Sequence, residues 1–273
     1  HMQSEVLALI VIYGQNPMET ISLQTLTAAK KDSVKIRILI WDNSPNPYRA
    51  NEINPFNAES LIYISTPDNI GLSVIYNKVI NNYLRLSEYL LLLDQDSSIP
   101  VDFFERFNQH SSKFPEIDLF LPTIRANGRL VSPLPYLYGW GKYWKKPRFG
   151  IQTSKFRSAI NSGMLISAKY LKGDFSGYDE RLKFYGTDTQ FMVSYAINRK
   201  SFFIMDTTID HDLSFFTTTN KERATKFLEM KSAYHFIYEK HARHLRALNF
   251  TIMLGVSVVY AFKYRSLLFL KRK

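Results

Sequence analysis

Four short apolar runs, each stopped by polar or turn-forming residues, constrain this chain more than any other feature. Residues 6–13 (VLALIVIY) end at Gly14, residues 34–41 (VKIRILIW) at Asp42-Asn43-Ser44-Pro45, and residues 89–93 (YLLLL) at Asp94-Gln95-Asp96; Leu61–Ser65 is the remaining run. The run at residues 6–13, unbroken and without alternation, has the pattern of a strand buried on both faces of a parallel sheet, and the other runs read as further strands. Helical spacing over residues 18–30 and 71–86 separates them, and parallel neighbours require such crossovers. The expected body is therefore α/β, a mixed Rossmann-like sheet flanked by helices. Further strands are expected at residues 119–122, 160–167 and 202–208, with a helix over Thr187–Asn198 and a proline- and aromatic-rich stretch between the first two strands.

Composition narrows the chemistry. No cysteine is present among the 273 residues, which removes disulfide scaffolds, thiolate zinc sites, iron–sulfur clusters and cysteine nucleophiles. With 17 Tyr and 20 Phe, the chain has the means for a sizeable core. His1-Met2 reads as a cloning scar, and no basic leader segment precedes the first apolar run, so no signal peptide is expected and a cytoplasmic location is the expectation.

Charge is concentrated at one end. Residues 221–273 hold 12 of the 35 Lys and Arg but only 3 of the 24 acidic residues, an excess of nine out of a net charge of +11. A general nucleic-acid coat is not expected from charge confined to a tail, and no recognition motif accompanies it. The same tail holds a 13-residue apolar block at residues 250–262, followed by Leu267, Leu268, Phe269 and Leu270. A helix needs about 20 apolar residues to cross a bilayer, so the expectation is peripheral contact with an anionic membrane face. A buried core or oligomer helix with a solvated basic face is the competing reading, and a homo-oligomer is compatible with it. The division expected is a catalytic body over residues 1–220, with a donor half to about residue 97 and an acceptor half beyond it, and a basic, amphipathic helical appendage over 221–273.

In open α/β sheets ligands bind beyond the carboxyl ends of the strands, where Tyr13, Asp42 and Asp94-Gln95-Asp96 fall here. The two common glycine-rich phosphate loops are absent, so a nucleotide must be held otherwise, and a metal ion is the natural substitute. Asp94 and Asp96 can direct carboxylate oxygens to Mg²⁺ or Mn²⁺. An Asp pair after a strand is also a common solvated turn or helix cap, and its spacing alone does not decide between the two.

The ordered segments VIYGQNP (11–17), WDNSP (41–45), NIGLSVIYN (69–77), LLLDQDS (91–97), NSGMLIS (161–167), YDERLKFYGTDTQF (178–191) and IDHDLS (209–214) resemble a family 2 glycosyltransferase of the GT-A fold, the nucleotide-diphospho-sugar transferase fold. Within that family the chain is similar to bacterial rhamnosyl- and galactofuranosyltransferases of O-antigen and other surface polysaccharides, over roughly residues 5–215. The resemblance implies inverting transfer of a sugar from a UDP- or dTDP-sugar to a glycan acceptor, lipid-linked acceptors being those the family extends, at the inner face of the cytoplasmic membrane. It implies Asp94, Asp96 and His211 as ligands to Mn²⁺ or Mg²⁺, and Asp188, in Gly-Thr-Asp-Thr-Gln, as the base that takes the acceptor hydroxyl proton. Thr187 departs from the pattern, since many relatives carry an acid there.

For the nucleotide, the resemblance implies Asp42 accepting from a pyrimidine base, Tyr13 stacking on it, Asn69 and Gly71 shaping the nearby loop, and Asp94 and Gln95 lining the same site. Each has a structural alternative: Asp42 as a turn residue, Asp188 as a helix cap, His211 as a packed histidine. Tyr138, Trp140 and Trp144, in an aromatic and lysine-rich stretch with two glycines, are candidates for a mobile acceptor loop, with burial in the core as the alternative. The rival functions are a metal-dependent phospho- or nucleotidyltransferase using Asp94 and Asp96, and a membrane-tethered binding protein that has lost turnover.

Overall fold

The computed structural model describes residues 3–29, 32–48, 61–137, 140–141, 143–211, 219–241 and 243–271. In chain order its elements are β1 (Ser4–Ile12), α1 (Ile21–Ala28), β2 (Val34–Asp42), β3 (Leu61–Ser65), α2 (Leu72–Asn82), β4 (Tyr89–Asp94), β5 (Ser97–Ser98), α3 (Phe103–Lys113), β6 (Leu119–Ala126), β7 (Arg129–Ser132), β8 (Leu134–Leu137), β9 (Trp140–Gly141), β10 (Gly150–Thr153), β11 (Arg157–Ser158), β12 (Leu165–Ser167), α4 (Ala168–Gly173), α5 (Thr187–Asn198), β13 (Ser201–His211), α6 (Asn220–His241) and α7 (Arg246–Lys263).

The main sheet runs β10-β13-β6-β12-β4-β1-β2-β3, with β5 added to β13 and β7 to β6. From β3 to β4 the strands are parallel, as the unbroken apolar runs require; β12 then inserts antiparallel between β4 and β6, and β13 is parallel to β6. Period-2 alternation sorts each central strand between two cores. Leu7 and Leu9 face a layer containing Ile75 and Val79 of α2, Tyr170 of α4 and Phe191 of α5, while Val6, Ala8 and Ile10 face Leu23 and Leu26 of α1 and Phe103, Phe104 and Phe107 of α3. At about 1.5–3 kcal/mol for each large side chain fully removed from water, burial of these two layers holds the sheet rigid.

Register levels the strand ends. Val11 pairs with both Trp41 and Asp94, and Ile12 with Asp42, so Tyr13, Asn43 and Gln95 emerge along one rim. The short β5 strand brings the end of β13 to the same rim, pairing His211 with Ser97.

Two sequence expectations change. The helix expected over residues 18–30 divides into a 3₁₀ turn, Pro17–Glu19, and α1, because Thr20 takes an extended conformation and its hydroxyl caps α1 by accepting from the Leu23 N–H. The strand expected over residues 160–167 begins only at Leu165. Before it, Asn161 and Ser162 spend their side chains on Thr187 and Ser97, and Gly163 turns the chain at φ +84°, where a β-carbon would collide with Ile209 and Pro122.

The tail forms two helices, α6 and α7, and the apolar block at residues 250–262 lies within α7. No helix among the described residues is long and apolar enough to cross a membrane. Residues 212–218, where the change of composition falls, lie outside the described residues.

Candidate functional site

Asp94 closes β4, Asp96 sits in the turn that follows, and His211 closes β13. The β5–β13 pairing sets His211 over that turn, with Nε2 3.5 Å from Asp94 Oδ2 and Nδ1 3.1 Å from Asp96 Oδ1. One ligand atom from each of the three residues lies within 4.8 Å of the others. His211 is only 8% exposed, yet its Nδ1 has no hydrogen bond of acceptable geometry despite the nearby carboxylate. A buried nitrogen beside an oxygen but not bonded to it fits shared coordination of a cation, and two carboxylates with one imidazole form a donor set suited to Mn²⁺ or Mg²⁺.

The electrostatics agree. Burial pushes the Asp94 carboxyl up to about 6; His211 pulls it down, and Asp96 and Asp188 raise it further. Burial draws the His211 imidazole down, but Asp96 and Asp94 outweigh this and leave it raised. Carboxylates crowded in this way hold negative charge that a divalent cation would neutralise.

Beside this cluster lies a cavity of about 370 Å³ walled by Tyr13, Asn43, Asn69, Asp94, Gln95 and Phe184. Gln95 Oε1 accepts from the Tyr13 N–H at 2.7 Å, tying the ends of β1 and β4 together, and Tyr13 leaves half of its ring exposed. Asn69, at φ +48°, accepts from Asn43 Nδ2 at 2.9 Å. Gly71 shapes the loop in a different way from contacting a ligand. A β-carbon there would stand 3.0 Å from the Lys183 Cα, and the next residue, Leu72, donates its N–H to the Lys183 carbonyl. Glycine is required so that the segment carrying Phe184 can cross the start of α2.

Asp42, whose carboxylate is expected to meet a nucleotide base, is also engaged by its own turn. It is fully buried, Oδ1 accepting from the Ser44 N–H at 2.9 Å and Oδ2 from the Tyr48 N–H at 3.1 Å and the Tyr63 hydroxyl at 2.6 Å. These partners fold the turn after β2, and the neighbouring Asn43 reaches the cavity. Trp144 departs from its expected role: it is buried in the core, under the Arg148 guanidinium, rather than offered to an acceptor. Tyr138 lies outside the described residues, and of Trp140 only the backbone, paired with Leu137, is described.

Asp188 stands in the first turn of α5, after Gly186 in the left-handed conformation. Its Oδ1 accepts from the Thr189 N–H at 2.7 Å, so the side chain does cap the helix, while Oδ2 takes no hydrogen bond among the described residues. Burial raises its pKa against the lowering effect of Thr189. Thr187 is buried and its hydroxyl accepts from Asn161 Nδ2 at 2.9 Å, which anchors the start of α5 to the turn before β12.

Residues not singled out from the sequence also gather here. Phe184 walls the cavity, the ring of Tyr76 lies 5.2 Å from that of Tyr178, and Asp188 contributes to the raised pKa of both phenols. Their only sequence signal was membership of the segments 69–77 and 178–191; which tyrosine faces Asp188 depends on contacts about 100 residues apart in the chain.

Neither a protein-family model nor the sequence of a curated protein matches the chain. Among solved structures, the chain is similar to residues 1–349 of S. aureus TarS in complex with UDP-GlcNAc, at 13% identity and a TM-score of 0.60 over 95% of this chain and 73% of that one. A second TarS 1–349 structure gives 15% identity and a TM-score of 0.54 over 88% and 72% of the two chains. GalNAc-T7 with UDP, GalNAc and Mn²⁺ gives 10% identity and a TM-score of 0.61 over 87% of this chain and 48% of that one. The mixed sheet flanked by helices, completed by C-terminal helices, is a GT-A-like fold.

Proposed function

We propose that this chain is a metal-dependent, inverting glycosyltransferase that moves a sugar from a UDP- or dTDP-sugar to a glycan acceptor. The observation that carries this reading is the cluster of Asp94, Asp96 and His211 beside the rim cavity that Asp94 lines, with Asp188 at the start of α5 close enough to act on Asp94. TarS with UDP-GlcNAc and GalNAc-T7 with UDP and Mn²⁺ support a nucleotide-sugar donor and a divalent ion in a fold of this kind.

In this reading Asp94, Asp96 and His211 hold Mn²⁺ or Mg²⁺, which when bound neutralises charge developing on the leaving diphosphate. Tyr13 and Asn43 meet the base, and Gln95 keeps the β1 and β4 ends at fixed separation. The acceptor oxygen attacks the anomeric carbon from the face opposite the diphosphate. As that C–O bond forms, the bond to the diphosphate breaks and Asp188 Oδ2 takes the hydroxyl proton. The raised pKa of Asp188 makes its carboxylate a stronger base than an exposed one.

The acceptor in this reading is lipid-linked, with galactofuranose and rhamnose the first sugars to try. The tail supports a membrane location. On α7 the buried residues are Asn249, Met253 and Ser257, whereas Phe250, Leu254, Val258, Val259 and Phe262 remain exposed. An apolar face turned outward, with basic residues at both ends, suits an anionic bilayer surface.

Thermal shift and donor hydrolysis with UDP- and dTDP-sugars, in Mn²⁺, Mg²⁺ or EDTA, test the reading. One donor should stabilise the protein only with metal, Asp96→Ala should abolish the shift, and Asp188→Asn should keep the shift and lose turnover. Absence of a shift with every donor and metal would reject it in favour of a non-catalytic binding protein.

A further inference from the structure

An apolar cavity outside the sheet rim lies between α6 and α7. It has a volume of about 530 Å³, within the range of small-molecule sites, and Leu228, Phe236, Phe250, Met253, Leu254 and Leu270 form its apolar wall. Lys231, Ser232, His235 and Asn249 interrupt that wall. Lys231 donates to Ser257 Oγ at 3.2 Å, and His235 Nε2 accepts from Arg246 at 3.2 Å. Asn249 is 4% exposed, and its Nδ2 has no hydrogen-bond partner. A buried amide donor left unbonded at the wall of such a cleft costs about 1–3 kcal/mol.

The cleft is not isolated from the rim. Ser232 and Phe236 also wall a neighbouring cavity of about 370 Å³, which shares Phe184 with the donor-side cavity. The three spaces therefore share walls, one with the next, from the tail to the cavity that Asp94 lines. Helix α6 makes the join: Ala233 and Ile237 pack on Leu182 and against Gly186, at the start of the helix that carries Asp188.

We propose that the α6–α7 cleft holds the apolar chain of a phosphate-linked lipid acceptor, one molecule at a time, with its head directed past Phe236 and Phe184 toward Asp188. This deepens the glycosyltransferase reading and rests on it for the direction of the head. Charge complementarity selects the occupant. The cleft opens in the segment whose excess positive charge is nine, and Lys231 lines it, so an anionic amphiphile fits better than a neutral chain.

Calorimetric titration of the full chain with farnesyl phosphate, below its micellar concentration, tests the proposal. Farnesyl phosphate should bind saturably at one per chain, and inorganic phosphate should not. Leu254→Trp, which fills the cleft from a half-exposed position, should weaken binding by about tenfold or more, and Lys231→Met should weaken farnesyl phosphate by a similar factor while leaving farnesol unchanged. Both variants should retain the wild-type melting temperature and metal-dependent donor shift, which shows that they fold. The proposal is overturned by unsaturable uptake, by binding only to phosphatidylglycerol vesicles, by Leu254→Trp binding as tightly as wild type, or by a dimer that Leu254→Trp dissociates without any farnesyl phosphate binding. Farnesyl phosphate binding without any nucleotide-sugar binding rejects the transferase reading and leaves the cleft a lipid site. Transfer to a soluble glycan without farnesyl phosphate binding rejects the cleft alone.

Discussion

The sheet rim and the C-terminal helix pair treat polar and apolar groups in opposite ways. At the rim, strand ends lie level and release Tyr13, Asn43, Asp94 and Gln95 into one space beside His211, with Gln95 bonded to Tyr13 and Asn43 to Asn69. In α7 the order is reversed, with Asn249 and Ser257 turned inward and Phe262 80% exposed. A rigid core can fix charged groups at separations that suit a cation or a reacting oxygen. A helix with its apolar side outward has no such use for precision, and its exposed area fits a surface or a chain that supplies apolar contact.

The sharpest way to break this contrast is at Asp188. Asp188→Asn should lower turnover by about 10²- to 10⁴-fold with donor affinity retained, measured as kcat against donor Kd. The wild-type rate should also fall as the pH drops, because the protonated carboxyl is inactive. Burial places that loss above the ordinary carboxylate range of about 4, so an acid limb at or below it would remove Asp188 as the base.

Two aromatic substitutions separate the regions further. Trp144→Ala should cost about 3–5 kcal/mol of stability in denaturant unfolding, since the ring is in the core; a loss of acceptor affinity at unchanged stability would restore the lid role. Gly186→Ala should cost more than the about 1–2 kcal/mol of left-handed backbone strain, because Gly186 sits at φ +86° and its β-carbon would also meet Ala233 of α6 at 2.6 Å. If α6 were not seated on α5, that penalty would reduce to the backbone strain alone. Phe262→Ser should change stability by less than about 0.5 kcal/mol while reducing flotation with anionic vesicles, and equal flotation would leave the exposed face of α7 without a membrane role.

Much of the body was legible in the residues, because continuous apolar runs admit few arrangements. Leu61–Ser65 and Thr187–Asn198 fall at their expected limits, and the parallel strands follow from burial on both faces. The strand expected at residues 160–164 was not legible, since Asn161 and Ser162 bond to Thr187 and Ser97, which lie 26 and 65 residues away. Among candidate site residues, the ordered segments pointed to Asp94, Asp96 and His211, which the fold brings together. The partners of Asp42 were not legible, because Tyr48 and Tyr63 become its neighbours only when β2 and β3 pair.

Local pattern by itself determined the α/β class, the strand ends that carry polar residues, and the concentration of positive charge in the tail. These depend on periodicity and turn chemistry, which act over a few residues. Tertiary structure decided which of those residues share a space: His211 over Asp96, Asn43 at the cavity, Trp144 in the core, and a cleft between α6 and α7 that adjoins the rim through Phe236 and Phe184. The physical reason is that strand register and helix packing are set by burial summed over the whole chain, and no short segment contains that sum.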